Sequence, residues 1–243
     1  MASPEKVRGF RQGLYQTSAT AKERVGRIRR TDDGRTFMYC KAGAANLAAG
    51  KVNVAEALDS TWVNEAIVTA QVAGDQVLAL TITSAGAAIL ENQFQGGYFQ
   101  INNEVAEGTS YLIESNSAVL ISGTSITITL SEPLRVALTS ASKFTLVSST
   151  GWKVVEAAGA LGRAVGIPPV AVTAAYFFWN QIGGVCPVLI DATNPAAGTT
   201  VSPSGRTAGA VHALGTLTYM PMGQMLVTGV STEYQPIRLM LGF

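Results

Sequence analysis

One histidine, His212, is the chain's whole supply of imidazole. A single imidazole cannot build a two-histidine zinc site or an H-E-x-x-H helix. Its neighbourhood, Val211-His212-Ala213-Leu214, reads as a strand, so His212 is expected to be structural rather than part of a Ser-His-Asp arrangement. The sequence has no G-x-S-x-G nucleophile elbow and no G-x-x-x-x-G-K-[ST] phosphate loop. Gly159, Gly162 and Gly166 have the wrong spacing for a dinucleotide fingerprint, and no helical pattern follows them. Twelve carboxylates follow residue 41, so two-carboxylate glycoside hydrolysis stays chemically open. Yet Glu104, Glu107 and Glu114 fall in polar turns, and none of the twelve belongs to a motif. Cys40 and Cys186 form neither a metal spacing nor a redox pair, and read as two buried thiols. The expectation is a non-enzyme with no catalytic residues, no cofactor and no metal.

The charge is distributed unevenly. Residues 1–41 carry ten basic and four acidic side chains, a net +6, whereas residues 42–243 carry a net −5. That pattern predicts a basic arm on a mildly acidic body. Residues 1–35 lack a clean helical or strand period, and Gly26 interrupts the one short helical possibility, Ala21 to Arg30. The arm is therefore expected to be extended. Arg24, Arg27, Arg29 and Arg30 are its candidate contact residues, because guanidinium groups pair bidentately with carboxylates. A nucleic acid is not the expected partner, since only Phe10, Tyr15, Phe37 and Tyr39 interleave with the basic residues.

The elements that must position these groups are strands. Leu78, Leu80 and Ile82 alternate with small or polar residues, as do Ile126, Ile128 and Leu130, and as do Ile237, Leu239, Leu241 and Phe243. Period two with one apolar face is the half-buried strand pattern. Turn clusters such as Ala73-Gly74-Asp75, Gln95-Gly96-Gly97 and Ser202-Pro203-Ser204-Gly205 separate the runs, and long amphipathic helices are lacking. The predicted fold is all-β, mainly an antiparallel sandwich or barrel-like body, with the extended basic N-terminal arm and at most short helices. The Gly-rich run Ala157 to Pro169 suggests a boundary, giving an arm at 1–35, a β domain at 36–160 and a C-terminal β domain at 161–243. Ala164 to Ile190 has no formal charge over 27 residues, but Pro168-Pro169, Gly183-Gly184 and Pro187 favour two strands over a membrane span. Tyr176-Phe177-Phe178-Trp179, the densest aromatic cluster, is expected in the core. The polar N-terminus has no apolar stretch of the kind that directs secretion, which predicts synthesis and use in a cytoplasm.

Two stretches carry a resemblance. Asp33-Gly34-Arg35-Thr36-Phe37-Met38-Tyr39-Cys40-Lys41-Ala42-Gly43, followed by Leu47-Ala48-Ala49-Gly50-Lys51, resembles the opening of virion structural proteins of tailed bacteriophages. The run Val172 to Gly184, with Tyr176, Trp179 and Gln181 ahead of the small-residue stretch Ala196 to Ala210, resembles their C-terminal β domain. The likeness is to the capsid decoration, or head-stabilising cement, group. It implies a protein on the capsid exterior, made in the host cytoplasm, bound to the major capsid protein and to itself, as a homotrimer, with no membrane role. A head fibre, tail or baseplate protein is the nearest alternative; a polysaccharide hydrolase or a nucleic-acid binder is a more distant one.

Overall fold

Alternation in the sequence becomes alternation in burial. Leu78 and Leu80 point inward while Val77, Ala79 and Thr81 face out, and Ile126, Ile128 and Leu130 are fully buried. The structure is a computed structural model that describes residues 9–58, 60–83, 86, 88–159, 163–215 and 220–241. Their strands, in chain order, are β1 (Ile28–Arg30), β2 (Thr36–Lys41), β3 (Asn53–Val54), β4 (Glu65–Ala66), β5 (Val77–Thr81), β6 (Tyr98–Asn103), β7 (Ser110–Asn116) and β8 (Ser125–Leu130). There follow β9 (Lys143–Val147), β10 (Val155–Glu156), β11 (Ala164–Gly166), β12 (Phe177–Leu189), β13 (Thr200–Pro203), β14 (Val211–Ala213), β15 (Gly223–Met225) and β16 (Tyr234–Met240). Among the described residues the only helical element is a 3-10 turn at Ser60–Trp62. The protein is all-β, with antiparallel sheets.

The chain divides into two compact units, Met1–Ala55 with Lys153–Phe243, and Glu56–Trp152. This differs from the linear division at 160/161. The reason is strand pairing: β2 is hydrogen-bonded to β12, and β3 lies between β10 and β11, so the chain on both sides of Glu56–Trp152 forms one body. The Gly-rich run that suggested a boundary supplies β11, inside that body.

In the split unit, seven strands form one sheet in the order β1-β2-β12-β16-β15-β13-β14, and β10-β3-β11 form a second. Met38, Cys40, Phe178, Ile182, Val188, Ile237 and Leu239 belong to its core. In the inserted unit, six strands run β4-β9-β6-β7-β8-β5 around a core that includes Leu78, Phe99, Tyr111, Ile128 and Phe144. The sheet is barrel-like and nearly closed. Its two edges meet where Thr83, just past β5, donates its N–H (2.8 Å) and Oγ1 (2.9 Å) to the Glu65 carboxylate on β4.

The expected tandem of strands within 164–190 is found as β11 and β12. No helix among the described residues is long and apolar enough to cross a membrane. Phe243, the last residue of the third alternating run, lies outside the described residues, as do residues 1–8 of the expected arm.

Candidate functional site

From Gly9 onward the basic segment lies on its own unit. The cause is in β2 and β12, which are apolar on both faces. Met38, Cys40 and Phe178 face the core, while Phe37, Tyr39, Phe177 and Trp179 are also buried, on alternate positions. A sheet buried on both faces needs a layer on each side. Residues 10–30 are that second layer. Phe10 stacks edge-on to Trp179 (5.3 Å between ring centroids), Ser18 bridges to Phe177, and the Trp179 indole N–H donates to the Gln12 carbonyl at 3.0 Å. Gln12 is itself buried. Its Nε2 donates to the Phe177 carbonyl and its Oε1 accepts from the Tyr39 hydroxyl at 2.6 Å. Burial pushes the Tyr39 phenol above its ordinary value. For residues 9–35, the expected extended arm is thus replaced by a packed cover that ends in the edge strand β1.

The four candidate arginines fall on this cover. Arg27 pairs with the buried Glu23 carboxylate and lies 4.7 Å over the Phe10 ring. Arg29 lies over the same ring at 4.7 Å, reaches the Trp179 ring, and donates to the Gln12 carbonyl at 3.2 Å. Arg24 is half-buried in the turn that leads into β1, where its carbonyl accepts from the Arg27 N–H. Arg30 ends β1 and is exposed. Residues 9–35 carry seven basic and three acidic side chains, so the cover is a positively charged face at a sheet edge.

Beside that face lies a cavity of about 730 Å³. One wall is the middle of β12, from Gln181 to Pro187, where the register shifts between Gln181 and Gly183. The Gln181 Nε2 holds the bulge by donating to the carbonyls of Gly183 (3.0 Å) and Val185 (2.9 Å). Gly184 has φ +84°, and a Cβ there would sit 2.8 Å from Cα of Arg35, so glycine lets the β1–β2 turn close on the wall. The rest of the lining is Ala48 to Gly50, Ala171, Tyr15, Tyr234 and Ile167 to Pro169, with Ile167 bridged to Gln181. Arg35 is the one charged side chain of the lining. Its Nε donates to Asp33 Oδ2 at 2.7 Å and its Nη1 to the Tyr15 hydroxyl at 2.9 Å. Cys186 also lines the cavity, and burial pushes its thiol up to about 12, so it is neutral.

His212 sits on β14 directly across from Ser202, near Asp191. The Ser202 hydroxyl is fully buried and has no hydrogen-bond partner. The Asp191 carboxylate accepts from Thr193 N (2.8 Å), Thr193 Oγ1 (2.5 Å) and Ser204 Oγ (2.9 Å). Burial alone would raise its pKa, but these bonds outweigh that and hold it below the usual carboxylate range. The arrangement ties down a turn and exposes no nucleophile. Both cysteines are buried free thiols, as the sequence predicted. Among the described residues no group of three or more His, Cys, Asp or Glu could hold a metal ion.

No protein-family model, curated protein or solved structure matches the chain. The resemblance to phage decoration proteins therefore rests on the two sequence stretches alone. Both map to one place: 33–51 supplies β2 and one cavity wall, and 172–184 supplies the part of β12 paired with β2.

Proposed function

We propose that the chain is a structural virion protein, a decoration or cement protein on the outside of a phage capsid. The observation that carries the reading is the positive face at the edge strand β1, with Arg29 and Arg30 on the strand and Arg24 and Arg27 in the turn that leads into it. A basic face steers encounter with an acidic surface and fixes register more than it raises affinity. Among the described residues β1 is an edge strand of the seven-stranded sheet, the kind of position at which a sheet meets a neighbour. The partners are the major capsid protein and further copies of the chain, arranged as a trimer at three-fold positions of the shell, since closed symmetry is the rule for homo-oligomers. Binding to the assembled shell alone stabilises it, by about 2.7 kcal/mol per site at a hundredfold excess over Kd.

The test mixes the purified protein with undecorated shells and images the particles. The expected result is many copies on the head, with occupancy falling as salt rises and falling further for Arg24→Ala with Arg30→Ala. Density confined to the tail or baseplate, or no binding at low salt, would refute the reading.

A further inference from the structure

We propose that the cavity beside Arg35 binds a small aliphatic carboxylate, a molecule with an apolar tail and one anionic head. This goes beyond the capsid reading and does not depend on it. About 730 Å³ lies within the range of cavities that hold small organic ligands, ~300–1,000 Å³. The body of the lining is aliphatic: Ala48, Ile167, Pro168, Ala171, Val185 and Pro187 offer methyl and methylene surface and no side-chain hydrogen bond. Such walls reward an alkyl chain by removing it from water. Against that apolar ground stands a single charge, the Arg35 guanidinium.

Two of the five guanidinium N–H donors are committed, one to Asp33 and one to Tyr15. The others are available to an anion, and guanidinium matches a carboxylate geometrically. Asp33 engages the Nε side and is not part of the cavity wall. The guanidinium is also held in place, over the Phe37 ring at 5.5 Å and by the Tyr15 hydroxyl at 2.9 Å, so little is lost in ordering it when a ligand arrives. A protonated amine, which only donates, could accept from none of the guanidinium N–H groups. A neutral alcohol of equal length would keep the tail contacts and lose the charge-assisted bonds.

The experiment is isothermal titration calorimetry of the full chain with octanoate and, separately, with octanol. The expected result is saturable binding of one octanoate per chain, with octanol weaker by about tenfold to a hundredfold. In Arg35→Gln the two probes should bind alike. Ala171→Trp, which fills the cavity from an exposed position, should weaken both. Equal affinity of the wild-type protein for octanoate and octanol would overturn the assignment of Arg35, and so would an octanoate preference that survives Arg35→Gln. Non-saturable uptake, absence of octanoate binding, or unchanged binding in Ala171→Trp would overturn the cavity as the site. The wild-type comparison of the two probes decides the matter even if a variant fails to fold.

Discussion

The Trp179 indole N–H donates to the carbonyl of Gln12 at 3.0 Å, across 167 positions of chain. Trp179 has no exposed surface, and Phe10 and Tyr39 pack on its ring. Trp179→Ala should therefore cost about 3–5 kcal/mol, the usual range for a large aromatic truncated in a core. Chemical denaturation reads this directly, and a loss below 1 kcal/mol would show that the ring is not buried.

The same contact changes what a truncation should do. Removing residues 1–30 strips the cover from Phe37, Tyr39, Phe177 and Trp179. We expect a lower melting temperature and new binding of a hydrophobic dye. A truncated protein that melts with the full chain and binds no dye would mean the segment does not cover the sheet.

Adjacent glycines in β12 should respond differently to alanine. At Gly184 the φ of +84° and the 2.8 Å approach to Arg35 both oppose a side chain, and a left-handed backbone alone costs an ordinary residue about 1–2 kcal/mol. At Gly183 a Cβ would meet only Thr36, at an ordinary 3.4 Å. Gly184→Ala should lower stability by clearly more than Gly183→Ala in the same denaturation assay, and equal losses would contradict the described turn.

The Glu65–Thr83 bonds that join the two edges of the six-stranded sheet are exposed, so their effect should be modest. Thr83→Val keeps the side-chain shape and removes the Oγ1 donor, with an expected loss of about 0.5–1.5 kcal/mol. Hydrogen exchange should rise first at β5 and β4. Exchange that rises uniformly would show that the edges are held by something else.

Asp191 predicts part of the acid limb of stability. Its pKa is lowered in the folded state, so its contribution is present above the unfolded value near ~3.9 and is lost as pH falls through the lower folded value. Asp191→Asn should reduce stability at neutral pH by about 1–3 kcal/mol, since it disturbs bonds from Thr193 and Ser204. It should also flatten the pH dependence below 4. An acid limb identical to that of the wild type would assign the titration elsewhere.

The strands of the inserted unit were legible because their sequence keeps strict alternation, as at 77–81 and 125–130. The all-β class followed from that. The fate of the basic segment was not legible from its own residues, which have no period. The signal was elsewhere: Thr36-Phe37-Met38-Tyr39-Cys40 and Tyr176-Phe177-Phe178-Trp179 run apolar without alternation, the mark of strands covered on both faces. Something had to supply the second cover, and Phe10 and Gln12 do so. The cavity was hidden for a different reason. Its parts, Tyr15, Arg35, Gly50, Pro168, Gln181 and Tyr234, are scattered through the chain and meet only when the turn at Arg35 closes on the bulge of β12.

The split of one unit by the other sets an order on the ribosome. When β2 emerges, its partner β12 has not been translated, and the whole of Glu56–Trp152 comes between. The inserted segment is contiguous, so it can reach its native pairing while β2 is still waiting for its second neighbour, β12. Closing so long a separation is slow relative to local hairpins. The nascent chain thus carries β2 with its β12 edge unpaired through much of its synthesis, a state that invites aggregation or exchange of β2 between copies. In this protein the Gly9–Arg30 segment is translated first and can shield that strand before its permanent partner arrives.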